Sequence, residues 1–202
     1  YDDIILLAKL ESGRFELEES NYAISDLVAD MSELALQELA DKDKSVKFFV
    51  ELGENVTDNL IGDVDKIRNI LVCLLDNAIR YTKQGSITLS VDSYGYTDHA
   101  HQDMLNIVFT IADTGIGIQE ERLDNIFDLY ESGDSMKNST HPGHGVGLAI
   151  AKGYADILDA ELSVESVYGA GSTFVLSLNQ KPAVKLSSGQ VVSKIEDTVS
   201  KE

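Results

Sequence analysis

Apolar residues recur along the chain with two spacings, one typical of helices and one typical of strands. Helical spacing predicts an amphipathic helix over residues 22–40 and a longer one over residues 64–81. Asp63 precedes the longer helix and has the side chain expected of an N-cap. The other helices predicted from this spacing are residues 119–128, residues 148–158 and an opening helix that ends at Gly13.

Strict alternation of apolar and polar residues predicts half-buried strands over residues 86–91 and 105–111. The polar stretch SYGYTDHAHQD lies between them and shows no period, so a long hairpin loop is expected there. Further strands are predicted at residues 46–51, 59–61, 162–165 and 173–178. Helices mixed with consecutive hairpins predict an α+β fold, a two-layer α/β sandwich with helices on one face of a mixed, mostly antiparallel sheet.

The periodic pattern divides the chain into one domain and two ends. Residues 22–178 carry the pattern and are predicted to form the domain. Residues 1–21 begin within a helical stripe, which is expected of a segment cut from a longer helix. Residues 179–202 lose the pattern and are expected to be a tail or linker.

Composition limits the partners that the protein can bind. Lys and Arg number 16 against 35 Asp and Glu, a formal charge of −19 that argues against nucleic acid and anionic lipid. A single cysteine, Cys73, excludes an internal disulfide and a cysteine-based metal cluster, which favours a reducing, intracellular compartment. No apolar run approaches the ~20 residues of a membrane span. Any anionic ligand must therefore be held by local groups.

The first candidate feature is a polar edge on the helix predicted at residues 64–81. Spacings of three and four residues bring five side chains to roughly one side of this helix. An Asn oxygen suits Mg²⁺, a guanidinium suits phosphate, and a tyrosine ring can lie against a base. The alternative is a solvated helix face. The five residues are Asn69, Cys73, Asn77, Arg80 and Tyr81.

The second feature is Asp113-Thr-Gly-Ile-Gly-Ile118, directly after an alternating strand. A carboxylate followed by two glycines offers an acceptor beside backbone that a flat ligand can approach closely. Asp113 could accept a hydrogen bond from an exocyclic amine such as that of adenine. The alternative is a tight turn in which Asp113 caps the next helix.

Two further glycine motifs follow. The sequence GHGVGL, residues 143–148, opens a predicted helix, whose N-terminal N–H groups can bind an anion, although such a motif can also mark only a mobile loop. The polar stretch at residues 129–146 ahead of it is too long for a simple connector, which favours a lid. The sequence GAGSTF, residues 169–174, is by itself typical of a hairpin turn with a bulge.

In this order, the motifs DNAIRYT, DTGIGI, IFDLYESGD, GHGVGLAIAK and GAGSTF resemble the ATP-binding signature of bacterial sensor histidine kinases. That family shares a superfamily with gyrase, a heat-shock chaperone and mismatch-repair ATPases. The resemblance covers residues 22–178 and implies the histidine-kinase ATPase fold. Residues 1–21 resemble the end of the family's dimerisation and phosphoacceptor helix with its connector.

The resemblance implies a role for each matching residue. Asn77 would be the Mg²⁺ ligand, Arg80 would contact phosphate, and Tyr81 would pack near the adenine or its phosphates. Asp113 would bind the adenine amine. Residues implied to assist Asp113 at the base are Gly115, Gly117, Ile118, Gly171 and Thr173.

The resemblance also implies a nucleotide lid. Phe127 and Tyr130 match the aromatic positions that anchor it. Lys137 is its sole cation and is proposed to contact the γ-phosphate, the alternative being a solvated surface charge. Gly143, Gly145 and Gly147 would wrap the β- and γ-phosphates. The residues between and after them that are counted as nucleotide-binding are His144, Val146 and Leu148.

The sequence departs from the family pattern at a few positions. Cys73 stands where hydrolysing relatives have a glutamate that activates water, which argues against autonomous ATP hydrolysis. Leu129 and Ser132 replace the Arg or polar residues that many members carry. His99 and His101 lie in the predicted hairpin loop, and none of the four histidines has the context of a phosphoacceptor.

The function implied by the resemblance is transfer of the γ-phosphate of ATP, with Mg²⁺, to a histidine on an adjoining helical domain. The implied partners are that domain, a response-regulator receiver domain and a second copy in a homodimer. A cytoplasmic location is expected, as the cytoplasmic part of a membrane-anchored sensor, with no direct membrane contact by this chain. Two alternatives remain open: a degenerate nucleotide-sensing or partner-binding module without phosphotransfer, and a serine kinase of the anti-sigma type.

Overall fold

A computed structural model describes Leu6, Leu10 and residues 15–42, 45–100, 102–128 and 146–183. Strands and helices follow one another in the order predicted for an α+β fold. The strands are β1 (Ser20–Ala23), β2 (Ser45–Leu52), β3 (Asn59–Gly62), β4 (Gln84–Thr97), β5 (Asp103–Asp113), β6 (Glu161–Val167) and β7 (Gly171–Pro182). The helices are α1 (Ile24–Asp41), α2 (Val64–Tyr81), α3 (Glu120–Leu123) and α4 (Gly147–Ile157).

The strands form one mixed sheet in the order β1-β3-β7-β5-β4-β2, with β6 also paired to β7. Only β2 and β4 pair in parallel among the described strands, and the other pairs are antiparallel. In the centre, Asp113 at the end of β5 is registered with Ile87 on β4 and with Ser172 on β7. The predicted mixed, mostly antiparallel sheet is confirmed.

The core lies between one face of the sheet and the helices. Alternate residues of β4, β5 and β7 are buried on that face, among them Leu89, Phe109 and Phe174. Helix α2 contributes a continuous buried stripe, as its sequence predicts. The buried apolar residues of α2 are Ile67, Ile70, Leu71, Leu74, Leu75, Ala78 and Ile79.

The N-terminus of α2 holds a buried ion pair that the sequence did not reveal. The Asp63 carboxylate caps the helix by accepting from the Lys66 backbone N–H at 3.2 Å, and it pairs with the Lys66 ammonium at 2.5 Å. It also accepts from the Glu18 N–H at 2.9 Å, while the Lys66 ammonium donates to the Glu16 carbonyl oxygen at 2.9 Å. The segment before β1 is thereby fastened to α2.

Two neighbouring contacts extend this attachment. The rings of Phe15 and Tyr154 meet edge to face with their centroids 5.9 Å apart. Leu10 is 9% exposed and packs against Gly153, where an added Cβ would stand 3.1 Å from its Cδ1. The segment before β1 therefore contacts both α2 and α4.

Three predicted boundaries differ from the structure. Strand β4 runs on to Thr97, so Ser93–Thr97 pair with β5 and are not part of the predicted loop. Tyrosine favours strands, but the side chains of Tyr94 and Tyr96 are exposed. These residues therefore do not follow the alternation of buried apolar and exposed polar positions on which the prediction rests. Helix α3 covers only part of the predicted residues 119–128. Strand β7 continues through residues 179–182, where the Gln180 side chain accepts from the buried Tyr22 hydroxyl at 3.2 Å.

No helix within the described ranges is both long enough and apolar enough to cross a membrane.

Candidate functional site

Asp113 is a buried carboxylate at the end of β5. It is 8% exposed, and Oδ1 accepts a hydrogen bond from the Gly115 N–H at 2.8 Å. Burial raises the pKa of Asp113, whereas the hydrogen bond from the Gly115 backbone lowers it, so that the net shift is upward. A buried carboxylate with acceptor capacity to spare can receive a donor from a bound ligand.

The glycines around Asp113 are required by the chain's own packing. A Cβ on Gly115 would stand 2.6 Å from the Tyr81 carbonyl oxygen. Gly117 and Gly171 have φ of +67° and +124°, and a Cβ on either would collide with backbone oxygen, that of Val167 for Gly117 and that of Asp113 for Gly171. These glycines are therefore required for the loops to pack against one another. This requirement is independent of any need for glycine where a ligand approaches the backbone.

The loop at residues 113–118 is locked to the hairpin between β6 and β7. The Ile118 N–H donates to Ser166 Oγ at 2.8 Å, and the Ser166 hydroxyl donates in turn to the Gly171 carbonyl oxygen at 2.8 Å. The Gly169 N–H donates to the Ile116 carbonyl oxygen at 2.7 Å. This end of the site is pre-organised by hydrogen bonds.

The residues of the polar edge of α2 have different neighbours. The Asn69 side chain lies beside Tyr154 of α4, and Cys73 is partly buried against the core. Arg80 pairs with Asp76 across 2.8 Å on the exposed side of the helix. The Tyr81 side chain is exposed, while its backbone oxygen accepts from the Ile116 N–H at 3.3 Å. Tyr81 thus joins the end of this edge to the Asp113 loop.

Asn77 is the residue of α2 whose chemistry fits a metal ligand. Its side chain is partly exposed, and no described residue hydrogen bonds to it. The carbonyl oxygen is therefore available to Mg²⁺, which prefers oxygen ligands and keeps several waters or substrate oxygens. Within the described ranges, no group of three His, Cys, Asp or Glu side chains could hold a metal ion. A metal ion bound here would depend on the Asn77 oxygen together with oxygens of a ligand bound beside it.

Helix α4 begins at Gly147 without a side-chain cap, so its first N–H groups are not occupied by one. Val146 is 3% exposed and anchors this end, while Leu148 is partly buried against the core. No described atom lies within 4 Å of the position that a Cβ on Gly147 would take. In contrast to Gly115, Gly117 and Gly171, this glycine is not required by the packing of the described residues around it.

The predicted lid is only partly within the described residues. Phe127 is partly buried and packs edge to face on Phe174, with their ring centroids 6.3 Å apart. The predicted site residues that lie outside the described ranges are Tyr130, Lys137, Gly143, His144 and Gly145. Leu129 and Ser132, where the sequence differs from the family pattern, and His101 also lie outside these ranges.

Two residues beside Asp113 were missed by sequence reasoning. Thr173 pairs with Ala112 and so has its side chain on the opposite face of the sheet from Asp113. The neighbouring Ser172 is 7% exposed and donates its backbone N–H to the Asp113 carboxylate. Strand alternation from Phe174 could have indicated Ser172. Thr82, just beyond α2, is fully buried beside the same carboxylate, and nothing in its local sequence indicates that contact.

Comparison with known families gives one match over most of the chain. Residues 62–182 match the profile described as "Histidine kinase-, DNA gyrase B-, and HSP90-like ATPase". This range contains Asn77, Asp113, Gly147 and Ser172.

Curated relatives are histidine kinases of much greater length. The peroxide stress-activated histidine kinase mak2 of Schizosaccharomyces pombe is 32% identical over 174 residues, which are 86% of this chain and 7% of that protein. The aerobic respiration control sensor protein ArcB of Escherichia coli is 31% identical over 180 residues, 89% of this chain and 22% of that protein. The chain thus spans less than a quarter of the length of either relative.

Solved structures show the same fold. Full-length ShkA, crystallised in complex with AMPPNP, superposes with a TM-score of 0.74 at 21% identity, covering 91% of this chain and 35% of that one. The catalytic domain of the histidine kinase ThkA superposes with a TM-score of 0.61 at 20% identity, covering 82% of this chain and 99% of that one. The fold is therefore that of a histidine kinase catalytic domain.

Proposed function

We propose, on the premise that this chain belongs to the family of histidine kinase-, DNA gyrase B- and HSP90-like ATPases, that it is the ATP-binding catalytic domain of a two-component sensor histidine kinase. It would transfer the γ-phosphate of ATP to a histidine on an adjoining helical domain. The observation that carries this proposal is the buried Asp113 carboxylate, held by hydrogen bonds at the edge of a pre-organised loop.

Asp113 is proposed to recognise the base. An ionised carboxylate only accepts hydrogen bonds, so it favours a ligand that presents a donor, such as the exocyclic amine of adenine. Guanine presents a carbonyl oxygen at the equivalent position, which would face the carboxylate unfavourably. Gly115, Gly117 and Ile118 shape the loop beside the base, and Ser172 contributes its backbone N–H to the carboxylate.

The phosphates are proposed to lie between the second half of α2 and the N-terminus of α4. Asn77 would hold Mg²⁺, which when bound offsets part of the triphosphate charge. Arg80 would exchange its exposed pairing with Asp76 for a phosphate contact, an exchange that costs little because exposed pairs are weak. Gly147 and the first N–H groups of α4, which have no side-chain cap, would bind phosphate oxygens, in accord with the helix dipole.

The lid residues keep the roles that the resemblance implies. Tyr130, Gly143, His144 and Gly145 are proposed to enclose the nucleotide, and Lys137 to contact the γ-phosphate. Phe127, packed on Phe174, would anchor the start of the lid. This division places base recognition on the sheet and phosphate binding on α2, α4 and the lid.

A regulatory module that binds nucleotide without transferring phosphate is the second candidate. The feature that favours it is Cys73, because a thiol neither binds Mg²⁺ well nor acts as the base that activates water. The same residue argues against ATP hydrolysis by this chain. Replacing Cys73 with Asn is expected to raise phosphotransfer if the thiol limits the metal site.

The proposed partners follow from the proposed reaction. They are the helical phosphoacceptor domain, a second copy of the protein in a homodimer, and the receiver domain of a response regulator. The negative charge of the chain is compatible with these partners and opposes nucleic acid. The proposed location is the cytoplasm, where ATP is available.

The experiment incubates this chain with γ-labelled ATP, Mg²⁺ and a purified helical domain that carries a phosphoacceptor histidine. Transfer of label in a form stable to base and labile to acid, as phosphohistidine is, supports the proposal. Nucleotide binding without transfer favours the regulatory module, and acid-stable label on serine favours the serine kinase. The absence of nucleotide binding contradicts all three.

A further inference from the structure

Strand β2 lies at one end of the strand order, and its outer edge has no partner among the described strands. It pairs with β4 alone, in parallel, over the eight residues Ser45–Leu52. The backbone N–H and C=O groups on its other side are therefore able to pair with a further strand. The side chains of β2 determine which strand fits there.

The two faces of β2 carry different side chains, because successive residues of a strand point to opposite faces of the sheet. The residues on the core face are partly buried and are Val46, Phe48, Val50 and Leu52. The residues on the open face are exposed and are Ser45, Lys47, Phe49 and Glu51. Phe49 is 47% exposed, which is unusual for a phenylalanine within a strand.

The open-face residues of β2 have no charged or aromatic partner on β4. In the parallel register, Lys47, Phe49 and Glu51 stand beside a serine, a threonine and a serine. Neither Lys47 nor Glu51 forms an ion pair with another described residue. The edge thus presents a cation, an aromatic ring and an anion at equal spacing along its open face.

This order of side chains is complementary to itself when two copies of β2 run antiparallel about a two-fold axis at Phe49. Lys47 of each copy then lies opposite Glu51 of the other, and the two Phe49 rings are neighbours on the axis. Opposite charges and aromatic rings that face each other directly across an antiparallel pair stabilise it.

The core face matches in the same register. Val46 of one copy lies opposite Leu52 of the other, and Phe48 lies opposite Val50, so every pair on this face is apolar. The two-fold axis keeps the helices of both copies on the same side of one continuous sheet. A contact of this kind is isologous, as in most homodimers.

Other antiparallel registers that keep the faces lose the match. An axis at Lys47 or at Glu51 sets two like charges against each other. An axis at Phe48 sets Lys47 opposite Phe49, and an axis at Val50 sets Glu51 opposite Phe49. Charges can protect a strand edge from pairing, but on β2 they select one register of pairing with a second copy.

We propose that β2 is a self-association edge, through which two copies of this chain join their sheets by antiparallel pairing of residues 46–52 about Phe49. Lys47 and Glu51 fix the register. The charge of −19 on each copy opposes association, so the contact depends on these local matches. The inference requires neither nucleotide binding nor phosphotransfer, and it adds to the proposed homodimer a contact made by the sheet of this chain.

The test uses two single variants and their mixture. Lys47→Glu sets only acidic side chains against each other across the axis, and Glu51→Lys sets only basic ones, so neither variant should pair with itself. In an equimolar mixture, each variant supplies the charge that the other lacks. The double variant Lys47→Glu/Glu51→Lys regains both matches within one chain.

Lys181→Glu is the matched control. Lys181 is exposed on β7 and registers with Ile61 of β3, so it lies away from β2, and its substitution changes the net charge by the same amount as Lys47→Glu. Sedimentation velocity without nucleotide, at about 0.15 M salt, measures association of each protein. Circular dichroism checks that the fold is kept, and amide exchange at low and high protein concentration locates the contact.

We expect the unaltered chain to dimerise with a dissociation constant of about 10 to 100 µM, because one pair of strands buries less surface than a standard interface. Each single variant should weaken its own association at least about tenfold. The mixture and the double variant should restore it, and Lys181→Glu should not change it. Every second amide of β2 should exchange more slowly at high concentration.

A chain that remains monomeric at about 1 mM would overturn the inference. So would a dimer that the single variants leave unchanged, or one that the mixture fails to restore, because such a dimer would use another surface. An equal loss in Lys181→Glu would show that net charge and not register is responsible. A failure of ATP binding bears on the proposed function alone, since no nucleotide is present in these measurements.

Discussion

Asp113 Oδ1 accepts the Gly115 N–H across 2.8 Å, which fixes one carboxylate oxygen against the glycine turn that follows β5. The carboxylate is then oriented by the backbone of its own loop before any ligand arrives. An acceptor that is oriented in advance loses little conformational entropy when a ligand binds. For this reason the Asp113 carboxylate is assigned to recognition of the base.

Asp113→Asn should weaken binding of ATP at least about tenfold, because an amide nitrogen cannot accept the adenine amine. GTP should bind weakly to both proteins, and the substitution should change its affinity little. The measurement is calorimetric titration with each nucleotide and Mg²⁺, with Asp103→Asn at the exposed other end of β5 as the control. Equal losses of ATP and GTP affinity would argue against an adenine-specific contact.

The same variant has a predictable effect on stability. Burial raises the folded-state pKa of Asp113 above its ordinary 3.8, so its contribution to stability is fully present below pH 3.8 and lost as pH rises through the folded-state pKa. The free energy of unfolding of Asp113→Asn relative to the unaltered protein should therefore be higher at pH 7 than near pH 4. Denaturant titrations at both pH values check this, and the opposite slope would show a lowered pKa.

Asp63→Ala should lower the free energy of unfolding by about 3 to 5 kcal/mol, because it leaves the Lys66 ammonium buried without its carboxylate. The Asp63 side chain is only 2% exposed. Asp65→Ala is the control, since the Asp65 side chain is 79% exposed and its pairing with Arg68 contributes less than about 1 kcal/mol. Urea unfolding gives both values.

Hydrogen exchange provides a second test of the Asp63 cluster. The Glu18 amide, which donates to Asp63, should exchange faster in Asp63→Ala than in the unaltered protein. Burial raises the pKa of Asp63, but hydrogen bonds with Lys66 and Glu18 and the Lys66 charge outweigh it, so the net pKa is lowered. The stabilisation is present above pH 3.8 and lost as pH falls through the folded-state pKa, opposite in sign to Asp113. Unchanged exchange at Glu18 would refute the attachment.

Glycine substitutions separate the needs of the fold from those of the ligand. Gly171→Ala should destabilise the protein by about 1 to 3 kcal/mol from the backbone alone, since its φ is +124°. Gly147→Ala should leave stability unchanged or raise it by up to about 1 kcal/mol, yet weaken nucleotide binding by filling the space beside the α4 N-terminus. Thermal unfolding and nucleotide titration decide the matter, and full affinity in Gly147→Ala would remove this glycine from the site.

Asn77→Ala should abolish the part of nucleotide affinity that depends on Mg²⁺ and leave the fold intact, because the side chain is partly exposed. Asn69→Ala, on the same helix, is the matched control. It should keep the Mg²⁺ dependence, because Asn69 lies beside Tyr154 of α4, two helical turns before Asn77. Titrations with and without EDTA measure this, and an unaltered Mg²⁺ dependence in Asn77→Ala would contradict the assignment.

The sequence predicts the elements whose signals are local. Helix α2 was predicted with its observed bounds, because the Asp63 cap and a continuous apolar stripe lie within its own residues. The end of β4 was not predicted, because Tyr94 and Tyr96 are exposed and form a strand through pairing with β5. Their environment is a property of the sheet and not of the local pattern.

The same distinction applies to the site. Asp113 and the glycines around it stand in recognisable order along the chain, and they could be identified from that order. Thr82 and Ser172 lie beside Asp113 from other elements, and Asn69 lies beside Tyr154 of α4. These neighbours meet only when the strands and helices pack, so the local sequence does not indicate them.

Titration of the unaltered chain with ATP and with GTP, each with Mg²⁺, tests the central claim most directly. The account predicts one ATP site per chain, with a dissociation constant at least about tenfold below that for GTP, as expected for one hydrogen bond to a charged acceptor. No detectable heat with ATP, or equal affinity for the two nucleotides, would contradict the assignment of Asp113 as the adenine-binding residue.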